Sequence, residues 1–182
     1  VEQYMTAAEE LSEIAVANDL AGLLPCDPAV DGEDACARSF IETFGRRAFR
    51  RPLTPAEVTV FEEVYALGAE QGGFSSGIQL ALEGMLESPS FLYMLEFGLD
   101  DPDGAGQLIE LDGYELASRL SFFLWNSTPD DALLDAADGL SDPDVLEAEA
   151  QRMLEDPRAR QAVSTFHKQW VGLHDIDGLF KD

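Results

Sequence analysis

Apolar residues recur at spacings of three and four along nearly the whole chain, and no run of Val, Ile and Thr alternates with polar positions. That periodicity predicts an all-α protein. It places about nine helices, at roughly 2–18, 34–50, 55–70, 75–87, 89–97, 113–125, 129–138, 143–155 and 157–173. Thr54-Pro55, Ser88-Pro89, Thr128-Pro129, Asp142-Pro143 and Asp156-Pro157 share one start signal. Each sets an N-cap oxygen ahead of a proline, whose missing N–H is no loss in a first helical turn. Thr54 with Glu57, and Asp112 with Glu115, have capping-box spacing.

Glycines at 72–73, 98, 104, 106 and 139 mark the breaks. The stretch Asp100-Asp101-Pro102-Asp103-Gly104-Ala105-Gly106 is polar, turn-rich and free of large apolar groups, so it reads as a linker between two helical modules. Neither a repeat of fixed period nor a low-complexity tract is present.

The 182 residues are 46% hydrophobic, enough for a core or two small ones, and 36 acids against 11 bases give a formal charge of −25. Such a surface repels nucleic acid and anionic lipid, so neither is an expected partner. The longest apolar run, Leu120 to Trp125, is far short of the roughly 20 residues that span a bilayer. The first residue is Val1, with no initiator Met and no leader pattern, which points to a processed or truncated N-terminus. The acidity fits either salt adaptation or a binding surface.

Cys26 and Cys36 are the two cysteines, close together in a Pro- and Gly-containing stretch. A disulfide there would add roughly 3 kcal/mol by closing a short loop, and it favours an extracytoplasmic location, periplasm or cell surface. Two free buried thiols are the alternative. A metal pair lacks further Cys or His nearby.

Arg46, Arg47, Arg50 and Arg51 put four cations into six positions. On a continuous helix Arg46 and Arg50 share one face and Arg47 and Arg51 the next. They form either an anion clamp or, as their place at a helix C-terminus favours, ties to neighbouring acidic helices. Arg119 lies in an apolar helix that ends at Trp125, so it needs a partner, for which Asp130 and Asp131 are the nearest candidates past the turn.

From Asp101 to Asp112, acids stand at the first, third and twelfth positions of a twelve-residue loop. Asp101, Asp103 and Asp112 thus form a weak calcium candidate, lacking a side-chain ligand at Ala105 and the usual Glu at the end. His167 and His174 stand two turns apart, about 10 Å, too far for one zinc ion on an unbroken helix. Signature motifs for a serine hydrolase, a zinc protease, a phosphate loop or covalent haem attachment are absent, so no catalytic or cofactor-binding residue is assigned.

Two long stretches resemble known domains. The run from Cys36 through Phe44-Gly45-Arg46-Arg47-Ala48-Phe49-Arg50-Arg51-Pro52-Leu53-Thr54, with Leu86-Glu87-Ser88-Pro89-Ser90-Phe91-Leu92-Tyr93 and Glu96, is similar to one helical domain of unknown function. Leu111 to Trp125, Pro129-Asp130-Asp131, Leu133, Arg152-Met153-Leu154 and Phe166 to Leu173 resemble a second. Both domains occur in the planctomycete-type cytochrome-associated multidomain proteins, also found in myxobacteria. The resemblance implies four segments. Residues 1–25 would be the tail of a preceding helical region, 26–99 the first domain, 100–110 a linker, and 111–182 a second, truncated domain.

The resemblance further implies c-type haem in another part of a longer polypeptide and none in this chain. The expected role is then a non-catalytic scaffold or docking module in an extracytoplasmic redox assembly. Its partners would be other domains or subunits, including a basic cytochrome steered by charge. The alternatives are part of an extracytoplasmic enzyme, haem oxidoreductase or polymer-degrading, and a purely structural cell-surface or complex subunit.

Overall fold

The computed structural model describes residues 2–99 and 109–172, and among them every regular element is helical. They fall into two compact units that divide between Leu95 and Glu96.

The first unit holds α1 (Glu2–Leu23), α2 (Pro28–Asp31), α3 (Glu33–Phe49), α4 (Pro55–Gly72), α5 (Phe74–Glu87) and α6 (Pro89–Leu92). The Thr54–Glu57 capping box starts α4, as its spacing predicts. Gly73 then turns the chain back at φ 79°, ψ −171°, a region that residues with a β-carbon avoid, so α4 and α5 form a hairpin. The core gathers Phe40 and Ile41 of α3 against Val58, Phe61 and Tyr65 of α4 and Ile78, Ala81 and Met85 of α5. Ala15, Val16 and Leu20 of α1 pack onto it. Cys26 and Cys36 are disulfide-bonded with their Cα atoms 5.6 Å apart, fixing the loop that carries α2 to the first turn of α3.

The second unit holds α7 (Gly113–Trp125), α8 (Asp131–Asp135), a 3-10 turn at Ala137–Gly139, α9 (Pro143–Glu155) and α10 (Pro157–Trp170). Its core is Ala117 and Trp125 of α7, Leu133 of α8, Leu140, Met153 of α9 and Ala159 of α10. Gly113 lets α7 start against the 3-10 turn, since a β-carbon there would collide with the Ala137 carbonyl.

Four elements differ from the sequence expectation, and the first is α2, a four-residue helix capped by Asp27 that the periodicity does not predict. α1 runs on to Leu23 because Asp19, non-helical at φ −155°, re-caps the last turn by accepting from the Gly22 N–H at 2.9 Å. The helix expected at 89–97 ends at Leu92, where Tyr93 turns extended. The helix expected at 129–138 begins at Asp131, because Asp130 and not Thr128 is the N-cap, its carboxylate accepting from Leu133 N at 3.0 Å.

Candidate functional site

Arg50 ends α3 in a left-handed conformation, φ 60°, and is only 6% exposed. This turn takes it off the face that a continuous helix would share with Arg46. Its Nη2 donates to the carbonyls of Ser90 at 2.7 Å and Tyr93 at 2.8 Å, and its Nη1 to those of Phe91 at 3.3 Å and Ala48 at 3.2 Å. One guanidinium thus satisfies the orphan carbonyls at the end of α6. Burial, and then the neighbouring Arg51 cation, lower its pKa from the ordinary arginine value.

Arg51 donates both terminal nitrogens to the Glu57 carboxylate, at 2.9 and 2.8 Å. That pairing, aided by the Thr54 backbone and hydroxyl and working against partial burial, brings Glu57 down to about 2. Arg46 and Arg47 occupy the last turn of α3, and neither is free. Two of the four cations, Arg50 and Arg51, are therefore ties within the unit; Arg50 binds carbonyls where carboxylates were expected.

In the second unit Arg119 does not meet Asp130 or Asp131. It pairs with Glu96, Nε to Oε1 at 3.0 Å and Nη2 to Oε2 at 2.6 Å, and its side chain is 61% exposed. Glu96 does not lie on a helix, as the expected span 89–97 would have it, but in the irregular segment that precedes α7. Glu115 anchors the same place, accepting from the N–H groups of Phe97 at 2.6 Å, Gly98 at 3.0 Å and Asp112 at 3.0 Å. Burial raises its pKa, but these three N–H groups and Arg119 outweigh that and leave it lowered.

Leu99 N donates to Glu110 O at 2.7 Å. Asp101 and Asp103 themselves lie outside the described residues. Asp112 is committed as the α7 N-cap, accepting from Glu115 N at 2.8 Å. Among the described residues no group of three or more His, Cys, Asp and Glu is placed to hold a metal ion.

Asp130 instead binds Arg152 through both oxygens, at 2.9 and 3.0 Å, with Arg158 at 3.6 Å. Burial raises the Asp130 pKa, and these partners with Leu133 N bring it below the ordinary value. Asp131, the first residue of α8, is also engaged. Arg158 lies over the Trp125 indole and chelates Asp156 at 3.0 and 2.8 Å, which lowers Asp156 to about 2. The Trp125 Nε1 donates to the Met153 carbonyl at 2.8 Å.

A groove of about 260 Å³ opens between α4 and α5, lined by Gly68, Gln71, Ser76, Gln79, Leu80 and Glu83 among others. Burial, then Glu87 and Glu9, raise the Glu83 pKa. No arginine lines this groove. α10 has a conspicuous surface of its own, where Phe166, His167 and Trp170 form an exposed ring cluster and His167 Nδ1 lies 2.8 Å from the Val163 carbonyl. His174 lies outside the described residues. No role for Glu96, Glu83, Arg152 or Arg158 follows from the sequence, although α10 stands out there as a helix with cations and no acid.

Residues 36–96 match the PSD5 family model, described as a protein of unknown function (DUF1595), and residues 111–182 match PSD4, a protein of unknown function (DUF1592). The chain is therefore similar to two domains adjacent in sequence, the first covering α3 from Cys36 on to α6 and the second α7 to α10. No curated protein and no solved structure matches it.

Proposed function

We propose that the chain is a helical scaffold carrying docking surfaces within an extracytoplasmic, redox-linked assembly, and that c-type haem is supplied by another part of the polypeptide. One observation carries the scaffold reading. Arg50, Arg51, Arg119, Arg152 and Arg158 are each held by groups of their own unit, where all but Arg119 act at helix ends. The disulfide supports an oxidising compartment, and no helix among the described residues is long and apolar enough to cross a membrane. The cytochrome link rests on the resemblance of the two segments, and the charge of −25 supports a basic redox partner attracted over a distance.

The first test is the intact mass and visible spectrum of the protein from its native source. A longer polypeptide with a Soret band is expected, and a colourless 19.9 kDa species would sink the haem link. The partner is tested by titrating a small basic c-type cytochrome at rising salt. Binding should weaken steeply as screening increases, and a salt-independent affinity would remove electrostatic steering.

A further inference from the structure

Two stripes of residues line the groove of the first unit. α4 contributes Gly68, Gln71 and Gly72, and α5 contributes Ser76, Gln79, Leu80 and Glu83, each set spaced as one face of a helix. Two of the three α4 positions bring no side chain, and there the helices approach closely. A β-carbon at Gly68 would stand 3.1 Å from the Leu80 β-carbon, and one at Gly72 would run into the Ser76 hydroxyl.

The polar groups of this lining are rich in acceptors. Ser76 Oγ donates to the Gly72 carbonyl at 3.3 Å, which leaves its oxygen as an acceptor. Gln71 and Gln79 each offer an amide carbonyl, and Glu83 a carboxylate. Among the described residues no hydrogen bond or ion pair engages these three side chains. Burial, then Glu87 of α5 and Glu9 of α1, raise the Glu83 pKa, as expected of a carboxylate with no cation beside it.

That lining selects one ligand chemistry. It holds no cation, so an anion would meet Glu83 unshielded. Its single carboxylate makes no cage for a metal ion, and without an aromatic ring it gives a sugar face no platform. An organic cation fits, since its several N–H groups can donate to the carboxylate and the amide carbonyls while Leu80 covers its methylenes. At about 260 Å³ the groove falls just below the roughly 300–1,000 Å³ of drug-sized pockets, room for one group the size of a side chain. The formal charge of −25 draws such a group in.

We infer that the α4–α5 groove binds a guanidinium or ammonium group on a short methylene stem, with Glu83 as its counter-charge and Gln71 and Gln79 as its hydrogen-bond acceptors. This chemistry reaches the groove either as a free small molecule or as an Arg or Lys side chain of another protein. The site is independent of the cytochrome reading and stands or falls without it.

Nuclear magnetic resonance titration of the ¹⁵N-labelled chain tests it, read at the side-chain amides of Gln71 and Gln79, which are assigned by their loss in Gln71→Ala and Gln79→Ala. n-Butylguanidinium should shift both amides saturably, with a dissociation constant on the order of 1 mM, while n-butanol and butyrate should leave them in place. An N-acetylated, C-amidated Gly-Gly-Arg-Gly-Gly peptide is the second probe. Binding of the peptide at least as tight as that of the free cation assigns the groove to a protein side chain, and binding of the free cation alone assigns it to a small molecule.

Glu83→Gln should weaken the tighter-binding probe at least about fivefold. Glu155→Gln, which removes one exposed charge from the second unit, should change it less than twofold. Far-UV circular dichroism confirms that each variant stays helical. Failure of both cationic probes to shift the two amides, equal shifts with butyrate, or equal weakening by the two Gln variants would each overturn the proposal.

Discussion

The guanidinium carbon of Arg158 lies 3.4 Å from the centroid of the Trp125 ring, so the first turn of α10 is stacked on the last residue of α7. Arg152 covers the same indole from 5.7 Å, and Asp130 holds both arginines. The core of the second unit is thereby closed by a cation–aromatic layer as well as by aliphatic packing.

Trp125→Ala should accordingly cost about 3–5 kcal/mol, the range for emptying a buried aromatic site. Arg158→Leu should cost less, about 0.5–2 kcal/mol, because it removes the stacking and leaves the core filled. Denaturant unfolding of the Arg158 variant followed by fluorescence in a Trp170→Phe background reads it cleanly, since Trp125 is then the single indole; the Trp125 variant is followed by far-UV circular dichroism. Equal losses for the two variants would show that the cation, not the ring, carries the contact.

Arg50 and Arg119 are both arginines with ordered partners, yet their substitution should behave differently. Arg50→Met strands the carbonyls of Ser90, Phe91 and Tyr93 in a buried place and should destabilise the first unit by about 3 kcal/mol. Arg119→Leu removes an exposed ion pair and should move the melting temperature by no more than about two degrees. Thermal melts of the two variants side by side decide it, and a larger loss at Arg119 would mean that the Glu96 pair holds the extended segment in place.

That contrast also shows what is legible from sequence. Helix starts are local chemistry, so Thr54-Pro55, Asp142-Pro143 and Asp156-Pro157 announce α4, α9 and α10 correctly. The disulfide was legible from the closeness of Cys26 and Cys36 in one loop. Partner choice is not local. Glu96 meets Arg119 across 23 positions of sequence, and Arg50 takes the carbonyls of Ser90, Phe91 and Tyr93 from a left-handed conformation that arginine rarely adopts. Asp130 displaces Thr128 as a cap because Arg152 and Arg158, far along the chain, fix its carboxylate. The Glu83 groove has no motif at all, since it arises from glycines that let α4 and α5 approach.

Two carboxylates should leave opposite marks on the pH dependence of stability. Glu57 has its folded pKa lowered to about 2 from an ordinary 4.5, so its contribution is complete above the ordinary value and is lost as pH falls towards 2. Glu83 is raised, so the folded state binds its proton more tightly than the unfolded chain and stability falls as pH rises through the folded value. Glu57→Gln should flatten the acid limb of a melting-temperature profile. Glu83→Gln should raise the melting temperature near neutral pH and leave the acid end unchanged. Parallel shifts of both variants at every pH would refute the assignment of these limbs.

The α4–α5 hairpin makes the last prediction, because two of its glycines look alike in sequence and differ in surroundings. A β-carbon at Gly68 would stand 2.6 Å from the Ser76 carbonyl oxygen and 3.0 Å from the Gly77 Cα, both backbone atoms that cannot move without parting the helices. One at Gly84 would meet Phe61 at 3.6 Å and Val64 at 3.9 Å, ordinary contact distances. Gly68→Ala should therefore destabilise by about 1–3 kcal/mol through overpacking and widen the groove beside Glu83. Gly84→Ala should stabilise by up to about 1 kcal/mol, since alanine is the better helix former and its methyl group finds room. Chemical denaturation of the two single variants gives opposite signs if the helices cross at Gly68 and Gly77, and the same sign if they do not.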